Sequence, residues 1–142
     1  VTDQVRALID QMVQTMRAAG GIGLAAPQVG VSLRVIVAEV DQRLVALVDP
    51  VIVRAEGSDV GVEGCLSIPG VVAAVPRAAR VVVRGKNRRG RGVTLQADGL
   101  LSRVLQHEID HLDGILFLDR VVDRSTIRRV AQTAEVEAPV PG

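Results

Sequence analysis

The chain has no tryptophan and no tyrosine, and Phe117 is its one aromatic residue. It therefore offers no platform of rings on which a base or sugar could stack. Any core must be built from Val, Leu, Ile and Ala. Hydrophobic residues make up 48% of the 142 positions, enough for one domain with a core. Lysine is almost as scarce: Lys86 is the only one, and the remaining cations are arginines. Acids balance them to a formal net charge of +1, which argues against a direct nucleic-acid-binding surface. Seven cations do crowd the stretch from Arg77 to Arg91. Gly85, Asn87, Gly90 and Gly92 punctuate two strand-like runs there, so the reading is a solvated hairpin. With Cys65 as the sole cysteine, no intramolecular disulfide can form, which fits a reducing compartment. No run approaches the roughly 20 apolar residues of a membrane span, and no basic-then-apolar leader opens the chain. A cytosolic protein without a membrane partner is expected.

What is present begins with Val5, Leu8, Ile9, Met12, Val13 and Met16, spaced as one face of a helix. Thr2 or Asp3 can cap its start, and Gly20–Gly21 end it. A loop of small residues, 20–28, leads to strand-like runs at 33–40, 44–48 and 51–54, with Asp41–Gln42 as the first turn. Residues 56–76 read as irregular and hold Cys65. Runs 80–84 and 92–97 read as a hairpin. A second helix is expected from about Asp98, its cap, to Asp113, ended by Gly114. A short helix over 125–134 and a frayed tail over 135–142 complete a single domain spanning 1–134. Strands that neighbour one another in sequence, joined by short turns, favour antiparallel sheets and an α+β class.

Chemistry concentrates in the second helix. His107-Glu108-Ile109-Asp110-His111 is an H-E-x-x-H pattern. Four residues advance a helix by about 6 Å and about 40°, so both imidazoles leave one face and can meet one ion. Glu108, beside the first histidine, can reach a water on that ion. A catalytic site of this kind usually has three protein ligands and one open position, and the chain has no third histidine. Cys65 lies in Glu63-Gly64-Cys65-Leu66-Ser67-Ile68-Pro69. Spacing alone leaves it open between a buried small hydrophobe and a ligand. Gln28 ends the small-residue loop. Its amide could donate to a carbonyl oxygen on which negative charge develops, although such a residue is usually just exposed.

Three segments together resemble the peptide deformylases, which carry a G-x-G-L-A-A-x-Q loop, an E-G-C-L-S loop and a Q-H-E-x-D-H-L helix in that order. Here they read Gly21-Ile22-Gly23-Leu24-Ala25-Ala26-Pro27-Gln28, Glu63-Gly64-Cys65-Leu66-Ser67 and Gln106-His107-Glu108-Ile109-Asp110-His111-Leu112. The resemblance runs from about Val1 to about Arg120 and includes Val75-Pro76-Arg77 and Asp113-Gly114. It implies antiparallel sheets packed around the motif helix, and Cys65, His107 and His111 as the metal ligands. It implies one divalent ion, iron(II) first, with zinc, nickel or cobalt able to occupy the same site. The reaction implied is removal of the formyl group from N-terminal formylmethionine of new bacterial or organellar proteins. In that chemistry the metal lowers the pKa of its water, and Glu108 takes the water proton and returns it to the departing amine. Gln28 and the Leu66 N–H would stabilise the oxyanion. Ile22, Leu100, Val104 and the edge of His107 would line the methionine pocket, and Gly23 would let the substrate backbone approach.

The chain departs from the family in several places. The family usually has a strand segment before the first helix that this chain lacks, so lower stability or an exposed sheet edge is expected here. Val72 stands where an arginine associated with substrate binding is common, and Asp49 replaces the usual asparagine before proline. A peptidase sharing H-E-x-x-H and a binding module without turnover are the competing functions. Arg124, Arg128 and Arg129 suggest a contact with the ribosome exit region, against the simpler reading of a solvated basic face.

Overall fold

The first helix forms as its spacing requires: α1 (Asp3–Ala18) buries Ile9, Met12, Val13 and Met16 on one face. Thr2 caps it, its hydroxyl accepting from the Val5 N–H at 3.2 Å, and Gly20 leaves it in the left-handed region at φ 71°. This computed structural model describes residues 1–130. The small-residue segment that follows folds into a short strand β1 (Gly23–Ala25) and a 3-10 turn over Ala26–Val29.

Six further strands precede the second helix: β2 (Val35–Val40), β3 (Arg43–Glu56), β4 (Asp59–Cys65), β5 (Ile68–Arg77), β6 (Arg80–Lys86) and β7 (Gly92–Asp98). Helix α2 (Gly99–Leu112) follows, and a two-residue strand β8 (Arg128–Arg129) closes the described chain. A five-stranded sheet runs in the order β1-β2-β3-β6-β7 and a three-stranded sheet in the order β4-β5-β8. Every pairing is antiparallel. Asp41 and Gln42, both at positive φ, form the tight turn between β2 and β3. In the β6–β7 turn the Asn87 side chain accepts from the N–H groups of Arg89 and Arg91 at 2.9 and 3.0 Å.

Strand β2 explains the layering. Its alternate residues serve two cores, so it reads as almost continuously apolar. Val35 and Val37 join Ile9, Met12, Val13 and Met16 beneath α1. Ile36, Ala38 and Val40 face α2 with Val45, Leu47, Val81, Val83 and the helix residues Leu101, Val104, Leu105 and Ile109. The other face of α2 is polar yet buried, presenting Arg103, His107, Asp110 and His111. Those side chains meet the three-stranded sheet. The helix is thus sandwiched between the sheets. The α+β architecture, with the motif helix at its centre, is as expected.

Four expectations are corrected. Residues 56–76 are not irregular but form most of the β4–β5 hairpin; their inward residues Gly61, Glu63 and Cys65 do not look like a strand's apolar face. The runs 44–48 and 51–54 are one strand, β3, bulged between Val48 and Val51. Asp49 sits in that bulge at φ 53°, a left-handed conformation that Asp, like Asn, tolerates. No helix starts at Ser125: Arg124–Thr126 is a 3-10 turn, and β8 then pairs with Val71 and Val72. The Val130 N–H donating to the Gly70 carbonyl at 2.9 Å ties this segment to β5, which an extended chain can do and a helix cannot. Residues 131–134 of the expected helix and the tail 135–142 lie outside the described residues. Finally, Asp98 occupies the N-cap position of α2 without a side-chain capping bond.

Candidate metal centre and active site

The lone cysteine ends β4 and the two histidines project from α2, and the fold brings all three together. Cys65 Sγ lies 3.2 Å from His111 Nε2, and the two Nε2 atoms lie 3.2 Å apart. All three residues are buried, and their donor atoms fall within 4.8 Å of one another. Bonds of about 2.1 Å to nitrogen and about 2.3 Å to sulfur around a tetrahedral ion would separate its ligand atoms by about 3.4–3.6 Å. The observed spacings are close to that, and two imidazoles with one thiolate are a donor set that divalent iron, zinc, cobalt or nickel can use. The residues present therefore fit one ion.

The neighbourhood prepares these donors. His107 Nδ1 lies 2.8 Å from Glu63 Oε1. An ionised carboxylate there requires the proton on Nδ1, which leaves the Nε2 lone pair facing the cluster, as ligation needs. Burial pushes the Glu63 carboxyl up, but hydrogen bonds from His107 and Arg77 and the Arg77 charge outweigh it, holding the group at about 2. Arg77 grips both Glu63 oxygens at 3.0 Å and reaches Asp110 at 2.6 Å. Asp110 in turn accepts two bonds of 3.0 Å from Arg120. Phe117, the one aromatic, is 1% exposed and stacks on His107 with ring centroids 6.2 Å apart. Burial pushes the Cys65 thiol up, hydrogen bonds from Ser67 oppose this, and the charge of Glu108 adds to the rise. A bound cation would reverse that trend and favour thiolate.

Glu108 is fully buried beside the cluster. Gly23 explains how it fits: a Cβ there would lie 2.5 Å from Glu108 Oε2 and 2.7 Å from Val104 Cγ1. This glycine makes room for the carboxylate, a reason beyond access for a substrate backbone. Gln28 is half-buried and locked from both ends. Its oxygen accepts from the Ala25 N–H at 2.8 Å; its nitrogen donates to Ser67 Oγ at 3.0 Å and stands 3.7 Å from Cys65 Sγ. Leu66 follows Cys65 in the turn between β4 and β5. Ile22 and Val104 belong to the core between the five-stranded sheet and α2, whereas Leu100, on the first turn of α2, is 43% exposed. Val72 is buried in β5 between Gly64 of β4 and Arg128 of β8. Cross-strand partners share a sheet face, so this chain carries a cation one strand beyond the position at which the resemblance expects one.

Surface hollows of about 430 Å³, lined by residues including Arg54, Arg80 and Gln96, and about 650 Å³, beside α1 and the β6–β7 hairpin, contain none of these residues. Donor geometry, not cavity size, locates the site. Reading the sequence did not single out Glu63, Arg77, Arg103, Asp110 and Phe117 as site residues. The available signals were an aspartate three residues after His107 and charged residues inside what prove to be strands.

Two imidazoles from one helix, a cysteine sulfur facing them and a carboxylate beside the first histidine, on an α+β frame, define a metal-dependent hydrolase of the H-E-x-x-H kind. Comparison with known proteins narrows this. The polypeptide deformylase family profile matches residues 1–126. The peptide deformylase of Halothermothrix orenii is 53% identical over 124 residues, covering 86% of this chain and 80% of that protein. That of Thermomicrobium roseum is 49% identical, covering 97% and 84%. Among solved structures, the Synechococcus elongatus peptide deformylase in complex with actinonin superposes with a TM-score of 0.84 at 50% identity, covering 87% of this chain and 69% of that one. The Acinetobacter baumannii enzyme with Met-Ala-Ser bound gives 0.82 at 36% identity, covering 84% and 82%. The chain belongs to the polypeptide deformylase family, metal-dependent hydrolases that remove the N-formyl group from nascent peptides. Among the described residues no helix is long and apolar enough to cross a membrane.

Proposed function

We propose that Cys65, His107 and His111 hold the metal ion, iron(II) in the cell, and that Glu108 is the proton-transfer group for hydrolysis of the formyl amide of formylmethionyl peptides. The convergence of three donor atoms within 4.8 Å, beside a buried carboxylate, carries this reading. A divalent ion bound there supplies Lewis acidity, lowering the pKa of water and polarising the formyl carbonyl. Glu108 takes a proton from the attacking water and delivers it to the amine nitrogen as the C–N bond breaks, leaving formate and a free amino terminus. Gln28, its amide held by Ala25 and Ser67, and the Leu66 N–H donate to the formyl oxygen as negative charge builds on it. Ile22, Leu100, Val104 and the edge of His107 line the pocket for the methionine side chain, and Gly23 lets the substrate backbone approach. Zinc, nickel or cobalt would fit the same donors.

Glu108→Ala should lower formate release from a formyl-Met peptide by about 100-fold or more, while metal content stays at the wild-type level. Near-normal turnover in that variant would remove Glu108 from the mechanism. A chelated wild-type control should release no formate, and restored metal should restore the reaction.

Residues 1–134 are proposed as one catalytic domain, working in the cytoplasm of a bacterium or in an organelle. A contact with the ribosome exit region is the subordinate proposal, supported by the exposure of Arg124, Arg128 and Arg129. Unchanged co-sedimentation with ribosomes at low salt after Arg-to-Ala substitution of all three would dismiss it.

A further inference from the structure

Three metal donors arrive on two elements. His107 and His111 ride together on α2, but Cys65 comes on β4, so any slip of β4 against α2 changes the sulfur-to-nitrogen distances. Metal–ligand bond lengths tolerate only about 0.2 Å. Interlocking apolar side chains would normally set such a register, yet they are missing from this contact. The β4 residues that face the helix are Gly61, Glu63 and Cys65, and the helix presents Arg103, His107, Asp110 and His111.

Arg103 spans the gap. Its guanidinium is bonded to the Glu63 carboxylate, donates from Nη1 to the Val75 carbonyl at 2.9 Å, and from Nη2 to the Asp59 carbonyl at 2.8 Å. One planar group on α2 thereby grips the main chain of β4 and of β5, and the carboxylate that orients His107. The residue is 7% exposed. Strand β4 lies directly on it: a Cβ at Gly61 would stand 3.0 Å from Nε and Cζ and 3.1 Å from Nη2. Arg77 also holds Glu63, but it belongs to β5, and the helix group it reaches is the Asp110 side chain.

We propose that Arg103 is a positioning residue of the metal centre: it fixes β4 against α2, and so sets the distance from Cys65 to the two histidines. The inference rests on reading those three residues as the ligands. A lysine could not replace the fork, because one ammonium cannot reach both carbonyls and the carboxylate with the same geometry.

The test uses cobalt(II)-substituted protein, comparing wild type with Arg103→Met, Arg103→Lys and Ile9→Ala, the last a cavity variant in the α1 core. Readouts are the thiolate-to-cobalt charge-transfer absorption, cobalt affinity by chelator competition, and circular dichroism for folding. Wild type should show the thiolate band; its absence there would overturn the ligand assignment itself. Arg103→Met should stay folded, lose about tenfold or more in cobalt affinity and shift or weaken the band. Arg103→Lys should show the same changes to a smaller degree, and it decides the matter if the methionine variant does not fold. Ile9→Ala should lower the melting temperature but keep the band and the affinity. Folded Arg103 variants with wild-type absorption and affinity would overturn the proposal. So would loss of folding in both, which would make Arg103 a determinant of the fold rather than of the centre.

Discussion

Gly23→Ala is the smallest change that reaches both the core and the site. The added methyl would stand 2.5 Å from Glu108 Oε2, 2.7 Å from Val104 Cγ1 and 3.1 Å from Glu108 Cδ. Ordinary carbon–oxygen contacts begin at about 3.3 Å and carbon–carbon contacts at about 3.5 Å. The carboxylate must therefore retreat by roughly 0.8 Å and the valine methyl by a similar amount. Neither can move easily. Strand β1 is held in its ladder at Gly23–Ala38, and α2 is packed on both sides. Overpacking of this kind costs about 1–3 kcal/mol of stability, which for a chain of this size means a melting temperature lower by several degrees.

The same displacement moves the proposed proton-transfer group by close to 1 Å, a misplacement that can cost about 100-fold in rate. Formate release by metal-loaded Gly23→Ala should fall in kcat more than it rises in KM. A double-mutant cycle with Glu108→Asp isolates the contact. The shorter carboxylate withdraws from the methyl, so the stability loss caused by Gly23→Ala should shrink by at least about 0.5 kcal/mol in that background. Wild-type melting temperature and kcat in Gly23→Ala would refute the close approach. Strict additivity in the cycle would refute the assignment of the clash to Glu108.

Acid should weaken the metal-free protein through Glu63. Its folded value is about 2 against 4.5 unperturbed, so its stabilisation is fully present above about pH 4.5 and is lost as pH falls toward about 2. That is on the order of 3 kcal/mol in all, of which about 2 is gone by about pH 3. Urea unfolding of chelated protein should therefore show a shallower acid dependence in Glu63→Gln than in wild type, and equal slopes would count against the shift. Phe117→Leu should cost about 1–2 kcal/mol by urea unfolding, since the ring is fully buried against His107; an unchanged midpoint would mean that the ring does not pack there.

The parts of this protein that obey a simple burial rule are the parts its sequence announces. Helix α1 and the β6–β7 hairpin bury apolar residues at the period of their own geometry, β2 is an almost unbroken apolar run because both its faces are covered, and the H-E-x-x-H histidines sit one helical turn apart. The β4–β5 hairpin breaks the rule. Its inner face carries Gly61 to admit a guanidinium, Glu63 to hold a histidine and Cys65, while Val60 and Val62 point outward at 65% and 55% exposure. Periodicity read from such a strand places the wrong face inward. The final segment is misread for a different reason: Ser125 to Val130 has no pattern of its own and takes its extended form from the free edge of β5.

The features that hide the hairpin also suit its task. Its apolar cluster is the smallest of the three among the described residues, Cys65, Ala73, Val75 and Phe117 with a few half-buried neighbours. That cluster holds no residue of α2; contact with the helix runs instead through the chain Arg103–Glu63–Arg77–Asp110–Arg120 and the Glu63–His107 pair. Buried ion pairs give little net stability over apolar packing of the same shape, because desolvation offsets the attraction. What they add is direction. Planar guanidinium groups and carboxylates accept only narrow geometries, whereas a layer of valines tolerates sliding and repacking. A thiol proposed to share one metal ion with two imidazoles, at bond lengths that tolerate only about 0.2 Å, is better served by the directional contact. Among the described residues, the two apolar cores that the five-stranded sheet forms with α1 and with α2 can then supply the stability that this layer forgoes.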